Sequence, residues 1–171
     1  ALGTFNNGNL TTLGLNQGVI LTTGNSSLVN AAATTLASTG NGTGGDANLT
    51  TLINNFNTTP GVTLATSDAC ILEFDIIPNG DTIRFDYLFG SEEYTSYVCT
   101  QYTDVFGFFV SGPNPLGGNY TNQNIALVPN TNVPVAINSV NGGNSSGTNT
   151  PCILNNTQYY VNNNGLNIAY D

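Results

Sequence analysis

Residues 69–89 read Ala-Cys-Ile-Leu-Glu-Phe-Asp-Ile-Ile-Pro-Asn-Gly-Asp-Thr-Ile-Arg-Phe-Asp-Tyr-Leu-Phe, two alternating apolar runs on either side of Asn79-Gly80. Asn-Gly is the favoured pair for a two-residue type I′ turn, whose central residues both need positive φ. A turn centred there predicts a hairpin with Ile76 opposite Ile83, Phe74 opposite Phe85, Leu72 opposite Tyr87 and Cys70 opposite Phe89. All eight are core-type side chains on one face, and a slip of one residue would turn them outward. The other face sets Asp75 against Arg84, the expected salt bridge. It also sets Glu73 against Asp86, an arrangement that needs a proton, a cation between them, or rotation of both into water.

Working outward, the Gly18–Thr23 run is β-prone, and a helix or coil is expected around 28–36. In Ala47–Phe56, Leu49, Leu52, Ile53 and Phe56 recur at helical spacing behind Asp46, a good N-cap residue, which predicts a short amphipathic helix. Further strands are expected at 104–111, 124–128, 133–140, 158–161 and 166–170, separated by Gly/Asn-rich turns. Short strands without strand–helix alternation predict an all-β, antiparallel sandwich or jelly roll with one or two short helices, as one domain spanning residues 1–171.

Composition narrows the chemistry. The 171-residue chain has 6% charged residues, against about 25% in an average globular protein. It has no His, Met, Trp or Lys, and Arg84 is its only cationic side chain. Without imidazole there is no Ser-His-Asp or Cys-His set, and without lysine no Schiff base or P-loop. A formal net charge of −9 disfavours nucleic acid and anionic membrane surfaces. No apolar run approaches the roughly 18 residues of a spanning helix. A trypsin-like protease has one cleavage point, after Arg84, which the hairpin would protect.

Of three cysteines, Cys70 keeps the period-two register of the apolar face and reads as a buried thiol. Cys99 and Cys152 lie in loop-like contexts and are the expected disulfide, which presumes an oxidising compartment. Acids gather at the strand ends, with Glu92 and Glu93 after the hairpin and Asp104 before Val105-Phe106-Gly107-Phe108-Phe109. Hard oxygen donors on loops suit calcium. Glu92, Glu93 and Asp104 are therefore the leading candidate ligands, with Asp46 and Asn25 as more distant ones. A carboxylate pair drawn from the same residues could instead serve glycoside hydrolysis, with Tyr94, Tyr97 and Tyr102 stacking on sugar. The absence of tryptophan and of a charged cleft argues against catalysis.

The run LEFDIIPNGDTIRFDYLFGSEEY, followed by DVFGFFVSG, NIALVPNT and VPVAINSVN, resembles the bacterial choice-of-anchor L domain, and the opening GTFNNGN…LGLNQGVILTTGN is similar to that family's N-terminal part. The resemblance covers nearly the whole chain. It implies a β-rich extracellular module of secreted or surface-anchored proteins, including gliding adhesins, and no established activity. The expectation is thus a non-catalytic adhesive or spacer module, stabilised by calcium and outside the cell, anchored through parts of a longer protein beyond this chain. It would meet a surface glycan or a protein ligand, and a carbohydrate-binding module is the alternative. The family usually continues past Ala169-Tyr170-Asp171, so an edge strand is expected beyond that point.

Overall fold

Helix α1 spans Ala47–Phe56 and begins where Asp46 stops the preceding coil. The Asp46 carboxylate accepts the Leu49 N–H at 2.8 Å, satisfying one of the donors that every helix start leaves open. Ile53 is buried, and Asn54 ties the helix to the following chain: its amide donates to the Leu64 carbonyl and its Oδ1 accepts the Leu64 N–H. The computed structural model describes residues 1–8, 13–28, 39–56, 61–143 and 156–162. The helix expected around 28–36 falls largely outside them, as does the strand expected at 166–170.

Among the described residues the strands form two two-stranded antiparallel sheets. In the first, β1 (Leu2–Phe5) pairs with β2 (Gly18–Leu21) in the register Leu2↔Leu21 to Phe5↔Gly18. In the second, β3 (Phe109–Pro113) pairs with β4 (Asn119–Asn124), from Phe109↔Asn124 to Pro113↔Asn119, with a bulge between Val110 and Gly112. The turn between them is built by Asn114, whose Oδ1 accepts the Leu116 N–H while its carbonyl accepts that of Gly117. Gly117 and Gly118 follow at φ 107° and 75°, angles that L side chains avoid. The strand expected at 124–128 therefore lies earlier in the chain, because the Gly-Gly turn closes a hairpin rather than a long connection.

Among the described residues the structure is β-rich with one α-helix, and isolated bridges pair Val105 with Ala136 and Leu127 with Pro134 beside the β3–β4 hairpin. Residues 133–140 make these bridges and then turn, with Ser139 accepting the Ala136 N–H and donating to the Pro134 carbonyl. The expected strand at 158–161 is instead a single 3-10 turn, Thr157–Tyr159. The most buried apolar side chains are Ile53, Val98, Ala126, Val128, Val135, Ala136 and Ile137. Tyr94, Val98 and Ile137 form one cluster, with Phe89, Cys99 and Tyr160 packed on it.

The 69–89 hairpin does not form as expected. The two runs meet at a bend over 79–81 but carry no ladder, and Leu72, Phe74, Ile76, Ile83, Phe85 and Tyr87 stay about half exposed. The apolar face of the second run packs across onto the 105–109 segment, Phe85 against Phe108 at 4.6 Å and Tyr87 against Phe106 at 5.0 Å between ring centroids. Ring-on-ring contact, worth about 0.5–1.5 kcal/mol a pair beyond burial, replaces cross-strand pairing. The Asp75–Arg84 salt bridge is overturned with the ladder: Arg84 Nη2 meets Asp86 Oδ1 at 3.0 Å. The partners are two residues apart in the chain, so this pairing needs no register between runs. With side chains 82% and 61% exposed, it contributes little.

Candidate functional site

Beyond Phe89 the chain folds into a series of turns over residues 92–99, in which the Tyr97 N–H donates to the Glu93 carbonyl at 2.9 Å. Two buried anchors hold it down. Val98 is fully buried, and the Tyr94 hydroxyl donates to the Val140 carbonyl at 2.5 Å. Asp104 arrives from the neighbouring segment, placed by the Ile137 N–H, which donates to its carbonyl at 3.2 Å, and by the adjoining Val105↔Ala136 bridge.

Ser91 joins the two segments. Its buried hydroxyl donates to Asp104 Oδ2 at 2.7 Å and accepts the Glu93 N–H at 3.1 Å. Glu93 is pushed up to about 7, chiefly by burial and then by the negative charges of Asp104 and Glu92. Burial also raises Asp104, and the Ser91 hydrogen bond partly offsets the rise. Glu93 Oε2 is buried without a hydrogen-bond partner. Asp104 and Glu92, both expected from sequence, thus lie within electrostatic reach of Glu93, and that setting favours protonation of Glu93 near neutral pH.

The remaining candidates have local roles. Asp46 caps α1, and Asn25 Oδ1 accepts both the N–H and the hydroxyl of Ser27 in a tight turn. Among the described residues, no group of three or more His, Cys, Asp or Glu side chains is arranged to hold a metal ion. Cys70 is a free thiol, half-buried, with its Sγ donating to the Ala1 carbonyl at 3.0 Å. Cys99 sits at φ 62°, its N–H accepted by Asn138 Oδ1; Cys152, its expected partner, lies outside the described residues. Tyr97 and Tyr102 meet edge-to-face at 5.7 Å, each about half exposed.

Sequence reasoning missed Ser91 and the buried amides beneath the site. Asn141 is wholly buried, donating to the Ile137 carbonyl and accepting the Gly143 N–H. The signal for Ser91 was its place beside two glutamates, where a hydroxyl can serve a carboxylate and a backbone N–H together. Asn141 carried no signal in a chain where asparagine is common everywhere.

A β-rich, cation-poor scaffold with an acidic turn is the kind of module that bacterial surface and secreted proteins use. The chain belongs to the choice-of-anchor L domain family, whose model matches residues 1–171. No curated protein and no solved structure matches it. Among the described residues, no helix is long and apolar enough to cross a membrane.

Proposed function

We propose that this chain is a non-catalytic adhesive or spacer module of a bacterial surface or secreted protein, closed as a β-sandwich and tied by Cys99–Cys152. The observation that carries the reading is the family match along the whole of residues 1–171. The near absence of cations and the missing catalytic residue types support it. Beads coated with the chain, tested against glycan-coated and protein-coated surfaces, measure adhesion directly. Attachment above bare beads supports an adhesive role, no attachment leaves a spacer, and release of reducing sugar overturns both.

Calcium belongs to the same proposal. Glu93, with a buried unpartnered oxygen beside Asp104 and Glu92, carries repulsion that a proton or a divalent cation would relieve. A ligand specific to the native state raises the unfolding midpoint by mass action. Melts with calcium and with EDTA at neutral pH test this, and coincident midpoints sink it. The exposed Tyr97–Tyr102 pair favours a second reading, a carbohydrate-binding module. A glycan array screens for it.

A further inference from the structure

A cleft of about 260 Å³ lies between α1 and the β3–β4 hairpin, away from the acidic turn. From this cleft we propose a binding site for one neutral sugar residue of a glycan, a proposal that rests on the adhesive reading above and gives it a location. Asn48, Thr51, Leu52 and Asn55 line it from the helix, at the i, i+3, i+4 and i+7 positions of a single face. Phe109, Asn122 and Asn124 line it from the hairpin.

The donor set fits hydroxyl-bearing ligands. An amide offers two donors and an acceptor at fixed geometry, which matches neighbouring hydroxyls that both give and take hydrogen bonds. The Asn48 and Asn55 amides make no hydrogen bond among the described residues, although Asn54 between them is fully engaged. Thr51 donates its hydroxyl to the Ala47 carbonyl at 2.8 Å, so the polar reach from the helix falls to the two asparagines. On the opposite wall, the Asn122 oxygen accepts the Ser111 hydroxyl at 3.1 Å, which aims its amino group away from that bond.

The walls are held in advance. Asn124 Oδ1 accepts the N–H groups of Phe108 and Ala126, and its amino group donates to the Ala126 carbonyl. The Phe109 ring is seated over Gly107, close enough that a Cβ at 107 would lie 2.6 Å from its Cε2 and 3.0 Å from Leu49 Cδ2. Phe109 and Leu52 therefore add apolar surface to a cleft otherwise lined by amides and a hydroxyl, a combination that suits the C–H face and the hydroxyl edge of a pyranose. Preformed walls lower the ordering cost of binding.

Size and charge narrow the ligand. The volume lies below the roughly 300–1,000 Å³ of sites for drug-sized molecules, which suits a single ring. No charged side chain lines the cleft, so an anion would find no counter-charge and a cation no carboxylate. A net charge of −9 repels acidic glycans further.

The test uses the full chain on an array of neutral and acidic glycans, followed by titration of isotope-labelled protein with methyl glycosides of glucose, galactose, mannose and N-acetylglucosamine. Neutral glycans should bind, with saturable shifts in the side-chain amide signals of Asn48, Asn55 and Asn122. Asn48→Ala and Asn55→Ala, both at exposed helix positions, should each weaken binding about tenfold, the equivalent of one lost hydrogen bond near 1.4 kcal/mol, with the melting midpoint retained. Tyr97→Ala should leave binding unchanged. Binding that survives both asparagine substitutions, or that vanishes in Tyr97→Ala, overturns the cleft and leaves the adhesive reading standing. Binding to acidic glycans alone, or adhesion of coated beads without any neutral glycan binding, overturns the cleft in the same way. Absence of bead adhesion together with all glycan binding overturns the cleft and the adhesive reading alike and leaves a spacer.

Discussion

Ser91 and Asp104, thirteen positions apart, are joined by a hydroxyl–carboxylate hydrogen bond of 2.7 Å that links the acidic turn to the segment entering β3. The same hydroxyl accepts the Glu93 N–H, so one oxygen serves both halves of the cluster. Ser91→Ala removes both interactions and leaves the largely buried Asp104 carboxyl without its hydroxyl donor. The expected loss is about 1–3 kcal/mol of stability, the usual cost of stranding a buried acceptor. Urea unfolding checks it, and an unchanged midpoint would mean that water replaces the hydroxyl at no cost.

Glu93 sets the sign of the pH dependence. Its folded value of about 7 lies above the ordinary 4.5, so between those limits the native state holds a proton that the unfolded chain has released. The stability that Glu93 contributes is therefore greatest below 4.5, falls as pH rises towards about 7, and is flat beyond. Asp104, raised by burial, adds in the same direction. Because the Glu93 side chain keeps partial contact with solvent, the loss is discounted to about 1–2 kcal/mol. Glu93→Gln should flatten most of the slope and be more stable than the wild type above neutrality. Unfolding midpoints on either side of neutral pH measure it, and parallel slopes for the two proteins would refute the assignment.

At Gly107 the missing side chain leaves room for both the Phe109 ring and Leu49 of α1. Gly107→Ala places a methyl against the Phe109 ring and Leu49 together, and both must move. Overpacking of this kind costs about 1–3 kcal/mol. A lowered melting midpoint is expected, together with weaker sugar binding as Phe109 leaves its seat. A variant that melts like the wild type would show that the ring moves freely.

Arg84 is the only lysine or arginine in the sequence, and it lies outside any strand or helix with its side chain 82% exposed. The sequence reading had it shielded within a ladder. With no ladder present, limited trypsin digestion should give a single early cut into fragments 1–84 and 85–171. A chain that stays intact through prolonged digestion would mean that the 69–89 hairpin closes in solution.

Legibility in the sequence followed the range of the forces involved. Helix α1 could be read to the residue, because its cap and its apolar stripe are both local. The acidic trio was legible as a cluster because each member ends or begins an apolar run. The 69–89 region shows the limit: alternation predicts two paired strands, but neither run forms a strand, and Phe85 and Tyr87 meet the rings of Phe108 and Phe106 instead of a cross-strand neighbour. β4 was misplaced because Asn119–Asn124 is polar throughout apart from Tyr120, and its strand character comes from β3 pairing and the Gly117-Gly118 turn. Nothing in the sequence marks Asn48 and Asn55, because the wall opposite them comes from the distant β3–β4 hairpin.

Arg84 spends its charge on the residue two places along, so among the described residues no ion pair bridges separate segments. What holds one part of the module to another is hydrogen bonds and ring contacts, in which even the carboxylates of Asp104 and Asp68 take neutral donors, from Ser91 and Thr43. An atmosphere of dissolved monovalent salt has little purchase on such cohesion, because it screens charges and leaves neutral contacts alone. A domain assembled this way suits life outside a cell, where salinity is set by the surroundings and not by the organism.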